Sequence, residues 1–229
     1  MIPYLDPDHP NQNFPALSEA LTDPDGLLAA GGCLSEERLI TAYANGIFPW
    51  YGEEDPILWW SPDPRLIIFP DQLHISKSLK KTLRKQQFSI TFDQAFADVI
   101  VACSQPRADE AGTWLSIEMQ AAYINLHQQG HAHSIEAWCE GELVGGLYGI
   151  AIGTVFFGES MFHTQTDASK IAFVTLIQKL SDWGYQLIDC QVHSEHLVSL
   201  GAEEIPRQHF MGLLEQYKIK SPNTQAWQP

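Results

Sequence analysis

Basic residues are scarce in this sequence. Lysine and arginine number 13 against 28 aspartates and glutamates, a formal net charge of -15. That balance excludes a broadly basic nucleic-acid-binding domain. Cysteine is sparse too. Cys33, Cys103, Cys139 and Cys190 form no C-x-x-C pair. Their spacing argues against a disulfide framework and leaves reduced, mostly buried thiols. No apolar run approaches the roughly 18 residues of a membrane span. The opening residues, Met1-Ile-Pro-Tyr-Leu-Asp-Pro-Asp, carry neither a basic n-region nor an apolar h-region. The sequence therefore predicts no signal peptide and a cytoplasmic protein without membrane contact. No G-x-x-x-x-G-K-S/T loop occurs, and no G-x-G-x-x-G follows a strand pattern. Gly145-Gly146-Leu147-Tyr148-Gly149 falls within a strand run and reads as a bend or ligand-approach site. An ATP-dependent activation step has no motif behind it, no cofactor is expected, and an acyl donor that arrives already activated fits better.

What is present is enough apolar material for a real core. Apolar residues make up 45% of 229 and charged residues only 18%, which allows one large domain or two small ones. The charge is unevenly spread. Five of the 13 basic residues, Lys77, Lys80, Lys81, Arg84 and Lys85, fall within nine positions. Residues 64–92 contain a single acid, Asp71. An acidic body with one basic patch suits a protein that meets an anion at one place and a cation at another. The ordinary alternative is a solvated helix face.

Residues 1–62 are rich in proline and glycine and hold ten acids with one base, Arg38. This stretch reads as a small, loop-rich N-terminal lobe. Inside it Ser35 caps a helix, with Glu36 and Glu37 in the first turn and Leu39, Ile40 and Tyr43 on one face. From Arg65 onward strands and helices alternate. Leu66–Phe69 and Phe88–Phe92 read as strands around a helix capped by Ser76, whose inward stripe is Leu79 and Leu83. Asp98–Ser104 and Ile117–His127 follow as helices on either side of a polar loop, Gln105–Gly112. Ser134–Trp138, Glu142–Tyr148 and Thr154–Phe157 then read as three successive strands, with Glu140-Gly141 as a tight turn. Ser169–Trp183 is a helix closed by Gly184, Gln186–Val192 a buried strand, and Arg207–Tyr217 a last amphipathic helix. The expected class is α+β with a mostly antiparallel sheet.

Several residues could carry chemistry. Asp189 and Gln191 stand in an otherwise apolar strand, and period two puts them on one face with Cys190 on the other. A buried carboxylate and amide need partners or line a cleft. Such a carboxylate can act as a general base or orient an amine, and a structural pair is the competing reading. Cys190 is a weak nucleophile candidate because it points away from that pair. Phe157-Gly158-Glu159-Ser160-Met161 ends a strand with an acid next to glycine. Gly158 permits close approach by a ligand and Glu159 could hold an ammonium group, against the plainer reading of a solvated turn. His131 and His133, with His163, His193 and His196 elsewhere, make a weak metal signal, and no metal is expected. Trp50, Trp59, Trp60 and Trp114 lie in loop-like surroundings. Exposed indoles stack on bases, and with the basic helix they point to a nucleic-acid end.

In chain order, Gly46-Ile-Phe-Pro-Trp50, Ile57-Leu-Trp-Trp-Ser-Pro-Asp-Pro-Arg65, Gly112-Thr-Trp114, Gly130-His-Ala-His-Ser-Ile-Glu136, Gly145-Gly-Leu-Tyr-Gly149, Phe157-Gly-Glu-Ser-Met-Phe162, Ala168-Ser-Lys170, Leu187-Ile-Asp-Cys-Gln191 and Ser199-Leu-Gly-Ala202 resemble the bacterial leucyl/phenylalanyl-tRNA–protein transferases. The resemblance spans about residues 14–210. It implies a small N-terminal domain, 1–62, followed by an N-acetyltransferase-like domain, 63–229. It implies an enzyme that moves Leu or Phe, less often Met, from Leu-tRNA or Phe-tRNA to proteins with an N-terminal Lys or Arg. The product would be an N-end-rule degradation signal. By the same resemblance Asp189 and Gln191 are the proposed catalytic pair, and Glu159 is an active-site acid near the aminoacyl group. Trp50 and Trp114 would hold the terminal adenosine. Leu147, Gly158, Phe173, Leu176 and Ile188 would form the aminoacyl pocket. The basic helix, Lys77 to Lys85, matches the tRNA-contacting cluster in position and sign. The expected state is a monomer. Two alternatives stay open: an acyl-CoA-dependent N-acyltransferase on the same fold, and a non-catalytic tRNA-end-binding protein.

Overall fold

The computed structural model of the chain describes residues 2–105 and 115–228. The first residues build a four-stranded sheet from β1 (Tyr4–Leu5), β2 (Leu27–Gly31), β3 (Phe48–Pro49) and β4 (Leu58–Trp60), in the order β1-β2-β4-β3. Helix α1 (Glu36–Ala44) begins as the sequence predicts. The Ser35 hydroxyl accepts the Arg38 N–H, and two glutamates occupy the first turn. Leu39, Ala42 and Tyr43 are buried on its inner face. The tryptophans divide. Trp59, expected among loop-like indoles, is fully buried and donates its indole N–H to the Gly31 carbonyl at 2.9 Å. Trp60 is half-buried and donates to the Trp50 carbonyl at 2.6 Å. Sheet pairing with β2 turns Trp59 inward, and a proline-rich context does not reveal that pairing.

From Arg65 a second, larger sheet forms. Its strands are β5 (Arg65–Ile68), β6 (Ser89–Phe92), β7 (Ala132–Cys139), β8 (Glu142–Ile152), β9 (Val155–His163), β10 (Leu187–Gln191) and β11 (Glu203–Ile205). They lie in the order β11-β5-β10-β9-β8-β7-β6. Every neighbouring pair is antiparallel except β9 with β10, so the expected α+β class with a mostly antiparallel sheet holds. Glu140 and Gly141, with φ of 53° and 85°, make the tight turn between β7 and β8. Two strands outrun their expected ends. β9 continues past Phe157 to His163, and β8 past Tyr148 to Ile152. Polar Glu159, Ser160 and His163 break the apolar alternation in β9, yet pairing with β8 carries the strand on.

The helices are α2 (Lys77–Lys85), α3 (Phe96–Cys103), α4 (Ile117–Gln128), α5 (Ala168–Asp182), α6 (Glu195–Val198) and α7 (Arg207–Tyr217). They sandwich the larger sheet, because alternate strand residues feed two separate cores. Ile67, Tyr148, Phe157 and Leu187 join Tyr43, Val99, Tyr123 and Phe210 on one face. Leu66, Leu147, Phe156 and Ile188 join Leu79, Phe173 and Leu176 on the other. The first core runs on into Leu28 and Trp59, so the N-terminal sheet docks on the α4 side. Gly145 lets α5 press against β8: a β-carbon there would lie 2.6 Å from that of Ala168. The C-terminal tail docks as well. Trp227 stacks on the His133 ring at 3.9 Å and donates to the Tyr185 hydroxyl at 2.8 Å. No helix among the described residues is long and apolar enough to cross a membrane.

Candidate active site

Two β-bulges in neighbouring strands build the site. Gly149 pairs with Gly158 and Tyr148 with Ser160, so Glu159 is an extra residue in β9. Asp189 pairs with Ile67 and Gln191 with Leu66, so Cys190 is an extra residue in β10. Bulges re-aim side chains and end pairing. The parallel ladder between β9 and β10 runs only from Leu187↔Val155 to Asp189↔Phe157. Beyond it the strands part. Across that parting the Gln191 amide donates to Glu159 Oε1 at 2.7 Å. Strict alternation along residues 186–192 therefore gives way at the bulge, where Gln191 takes a left-handed φ of 65°.

Asp189 is fully buried and accepts three hydrogen bonds. Arg65 clamps it with Nε to Oδ1 at 2.8 Å and Nη2 to Oδ2 at 2.6 Å. Oδ1 also accepts the Gln191 backbone N–H at 2.9 Å. The Arg65 guanidinium is sandwiched between the rings of Phe48 and Phe210, at 4.8 and 4.7 Å. The ion pair thus fixes the backbone turn that presents the Gln191 side chain.

Glu159 is the responsive group. Burial pushes its pKa up to about 7, against hydrogen bonds from Tyr43, Tyr123 and Gln191 that favour the ionised form. The Tyr123 hydroxyl donates to its Oε2 at 2.9 Å, and the Tyr43 hydroxyl lies 2.5 Å from that of Tyr123. A carboxyl poised near neutrality can hold an ammonium group or exchange a proton at working pH. Cys190 has the opposite character, because burial and nearby Asp189 push its thiol far above the usual range. A thiol raised in this way is a poor nucleophile at neutral pH.

The remaining expected residues scatter around this centre. Trp50 is 47% exposed, its ring 5.7 Å from that of Trp60. Trp114 and the segment 106–113 lie outside the described residues. All five basic residues of α2 are exposed, while Leu79 is buried beneath them. Leu147, Phe173, Leu176 and Ile188 gather in one buried cluster on the α5 face. Gly158 stands at the strand parting, where a β-carbon would meet, among the described residues, only the Asp189 carbonyl oxygen, at 3.6 Å. His133 is spent on Asp93 at 2.7 Å, and His131 sits 3.6 Å from Glu36.

Sequence reasoning missed three residues of the network. Arg65 was legible only as a charge opening an apolar strand, and Tyr43 only as part of a helix stripe. Tyr123 gave no signal. Their hydroxyls and guanidinium matter through partners 36 to 124 positions away.

Residues 67–215 match the family model of the leucyl/phenylalanyl-tRNA protein transferase, and residues 32–63 match that of its N-terminal domain. A leucyl/phenylalanyl-tRNA–protein transferase from Methylococcus capsulatus is 56% identical over 227 residues, 99% of this chain and 97% of its own. One from Nitrosomonas europaea is 57% identical over 227 residues, 99% and 95% of the two chains. Among solved structures, FemX superposes with a TM-score of 0.49 at 10% identity, over 79% of this chain and 71% of its own. A GCN5-related N-acetyltransferase from Kribbella flavida gives 0.41 at 11% identity, over 72% and 59%. These structural likenesses are too distant to carry the assignment, which rests on the sequence relatives. Matched by two family models and by relatives more than half identical across nearly its whole length, the chain belongs to the leucyl/phenylalanyl-tRNA–protein transferase family.

Proposed function

We propose that the chain moves Leu or Phe, less often Met, from aminoacyl-tRNA to the N-terminal Lys or Arg of acceptor proteins. The reaction needs no ATP, and its product is an N-end-rule degradation signal. The observation that carries this reading is the Gln191–Glu159 contact across the parting of β9 and β10, held from behind by the buried Arg65–Asp189 pair. Glu159 accepts the Gln191 amide N–H, so the Gln191 carbonyl oxygen is the end left to receive an N–H of the acceptor amine. The amine attacks the ester carbonyl. A C–N bond forms and the C–O bond to the ribose breaks. The amine loses one proton and the ribose oxygen gains one, with the neighbouring 2′-hydroxyl as shuttle. Glu159 holds the ammonium of the aminoacyl group. Asp189 acts electrostatically through Gln191, whose backbone N–H it accepts while paired with Arg65.

The transferred side chain enters beside Gly158 toward Leu147, Phe173, Leu176 and Ile188. An apolar wall of this kind separates Leu from Phe only weakly, because one methylene is worth about 1–3 kcal/mol. Trp50 and Trp114 stack on the terminal adenosine, and Lys77, Lys80, Lys81, Arg84 and Lys85 take the tRNA backbone. The net charge of -15 favours a cationic acceptor. In this reading 1–62 and 63–229 are the two domains, and the enzyme works in the cytoplasm as a monomer.

The test is a transfer assay with the full chain, labelled Leu-tRNA, and two peptides differing only in an N-terminal Arg or Ala, without ATP. Label on the Arg peptide alone is the expected result. No transfer from intact Leu-tRNA or Phe-tRNA overturns the reading. Turnover of acyl-CoA would then favour an acyl-CoA enzyme, and tRNA binding without turnover a binding protein.

A further inference from the structure

The Glu159 carboxylate is held on two sides, and the chemistry above uses only one. Tyr43 on α1 and Tyr123 on α4 are both fully buried. Tyr123 donates its hydroxyl proton to Glu159 Oε2 at 2.9 Å. The Tyr43 hydroxyl lies 2.5 Å from that of Tyr123, and either can donate in that contact, so the two phenols act on the carboxylate as a linked pair. Burial and the Glu159 charge hold both phenols well above the ordinary tyrosine range, so they remain donors at any working pH. Gln191 meanwhile donates to Oε1 at 2.7 Å. Four elements therefore converge on one carboxylate: α1 and α4 with the phenols, β10 with Gln191 and Asp189, and β8 with Tyr148. Arg65 on β5 faces it only through Asp189. The Tyr148 hydroxyl is buried in the same cluster and has no hydrogen-bond partner among the described residues.

We infer that Tyr43 and Tyr123 are positioning residues for Glu159, a hydrogen-bonded pair that aims its carboxylate at Gln191, and through which the N-terminal unit reaches the reactive centre. The inference rests on Glu159 as an active-site acid. Hydrogen bonds to an ionised carboxylate favour that form, and in a buried site they oppose the penalty of desolvation. Without the phenols the carboxyl binds its proton more tightly, and the protonated form no longer accepts from Gln191 in the same geometry.

The test compares Tyr123→Phe, Tyr43→Phe and Tyr148→Phe in the full chain. Two quantities are read: the pH dependence of kcat/KM for transfer, and the titration of the Glu159 carboxyl stretch by difference infrared spectroscopy, assigned by its loss in Glu159→Gln. Tyr123→Phe is expected to move both upward by about one pH unit, a tenfold change in proton affinity. Tyr43→Phe moves them in the same direction. Tyr148→Phe removes an equally buried hydroxyl and leaves both in place. An unmoved titration in folded Tyr123→Phe overturns the inference. So does an equal shift in Tyr148→Phe, which would mean that any lost hydroxyl suffices. If Tyr123→Phe fails to fold, Tyr43→Phe decides by the same criterion. Absence of transfer in the unaltered chain overturns the functional reading alone, because the infrared titration still reports on the pair.

Discussion

Replacing Arg65 by methionine tests whether the buried ion pair organises the site. The perturbation removes a guanidinium that is 1% exposed and its two bonds to Asp189 at 2.8 and 2.6 Å. Asp189, fully buried, is left as an uncompensated charge. Breaking such a pair costs about 3–5 kcal/mol. With a urea slope of about 3 kcal/mol per molar, the unfolding midpoint falls by about 1–2 M. Intrinsic fluorescence from seven tryptophans reports the transition. Exchanging both partners for apolar residues, Arg65→Met with Asp189→Leu, removes the stranded charge. The double variant is expected to recover most or all of the lost stability. It is not expected to recover transfer, because nothing then accepts the Gln191 backbone N–H and fixes its left-handed turn. A loss below about 1 kcal/mol in Arg65→Met, the range of an exposed pair, would refute the reasoning. Full transfer activity in the double variant would refute it from the other side.

The raised pKa of Glu159 sets two pH dependences. Transfer is expected to rise with pH through about 7 as the carboxyl ionises, and Glu159→Gln to lose both this limb and about 10²-fold or more in rate. Stability runs the other way. Between the ordinary carboxylate value of 4.5 and about 7 the folded chain holds a proton that the unfolded chain has released. Stability therefore falls as pH rises across that window, and Glu159→Gln flattens the slope in urea titrations at several pH values. Trp50→Ala is expected to weaken aminoacyl-tRNA binding by about 1–3 kcal/mol in a direct titration, with no change in the unfolding midpoint beyond experimental scatter. Neutralising Lys80, Lys81, Arg84 and Lys85 together should flatten the dependence of log affinity on log salt. An unchanged slope would remove α2 from the tRNA path.

Much of the architecture was readable from pattern. Ser35 and Ser76 marked helix starts because a cap satisfies orphan N–H groups locally. Glu140-Gly141 marked a hairpin because glycine readily takes the positive φ that a two-residue turn requires. The ends of β8 and β9 were not readable. Gly149 in β8 and Gly158, Glu159 and Ser160 in β9 interrupt the apolar pattern, and pairing across the hairpin carries both strands past them. Trp59 and Trp50 looked alike in sequence, and their opposite exposures follow from which one pairs into the N-terminal sheet.

The sequence by itself determined the family, the α+β class, the exposed basic helix and the identities of Asp189, Gln191 and Glu159. Those follow from local chemistry and from the order of motifs along the chain. Only the tertiary structure decided what these residues touch. Two single-residue bulges turn Glu159 and Gln191 toward each other, Arg65 occupies both oxygens of Asp189, and Tyr43 and Tyr123 close on Glu159 from two helices. A bulge is a mismatch between two strands, and a buried ion pair joins residues more than a hundred positions apart. Neither is a property of any one segment, so neither is written in a local pattern.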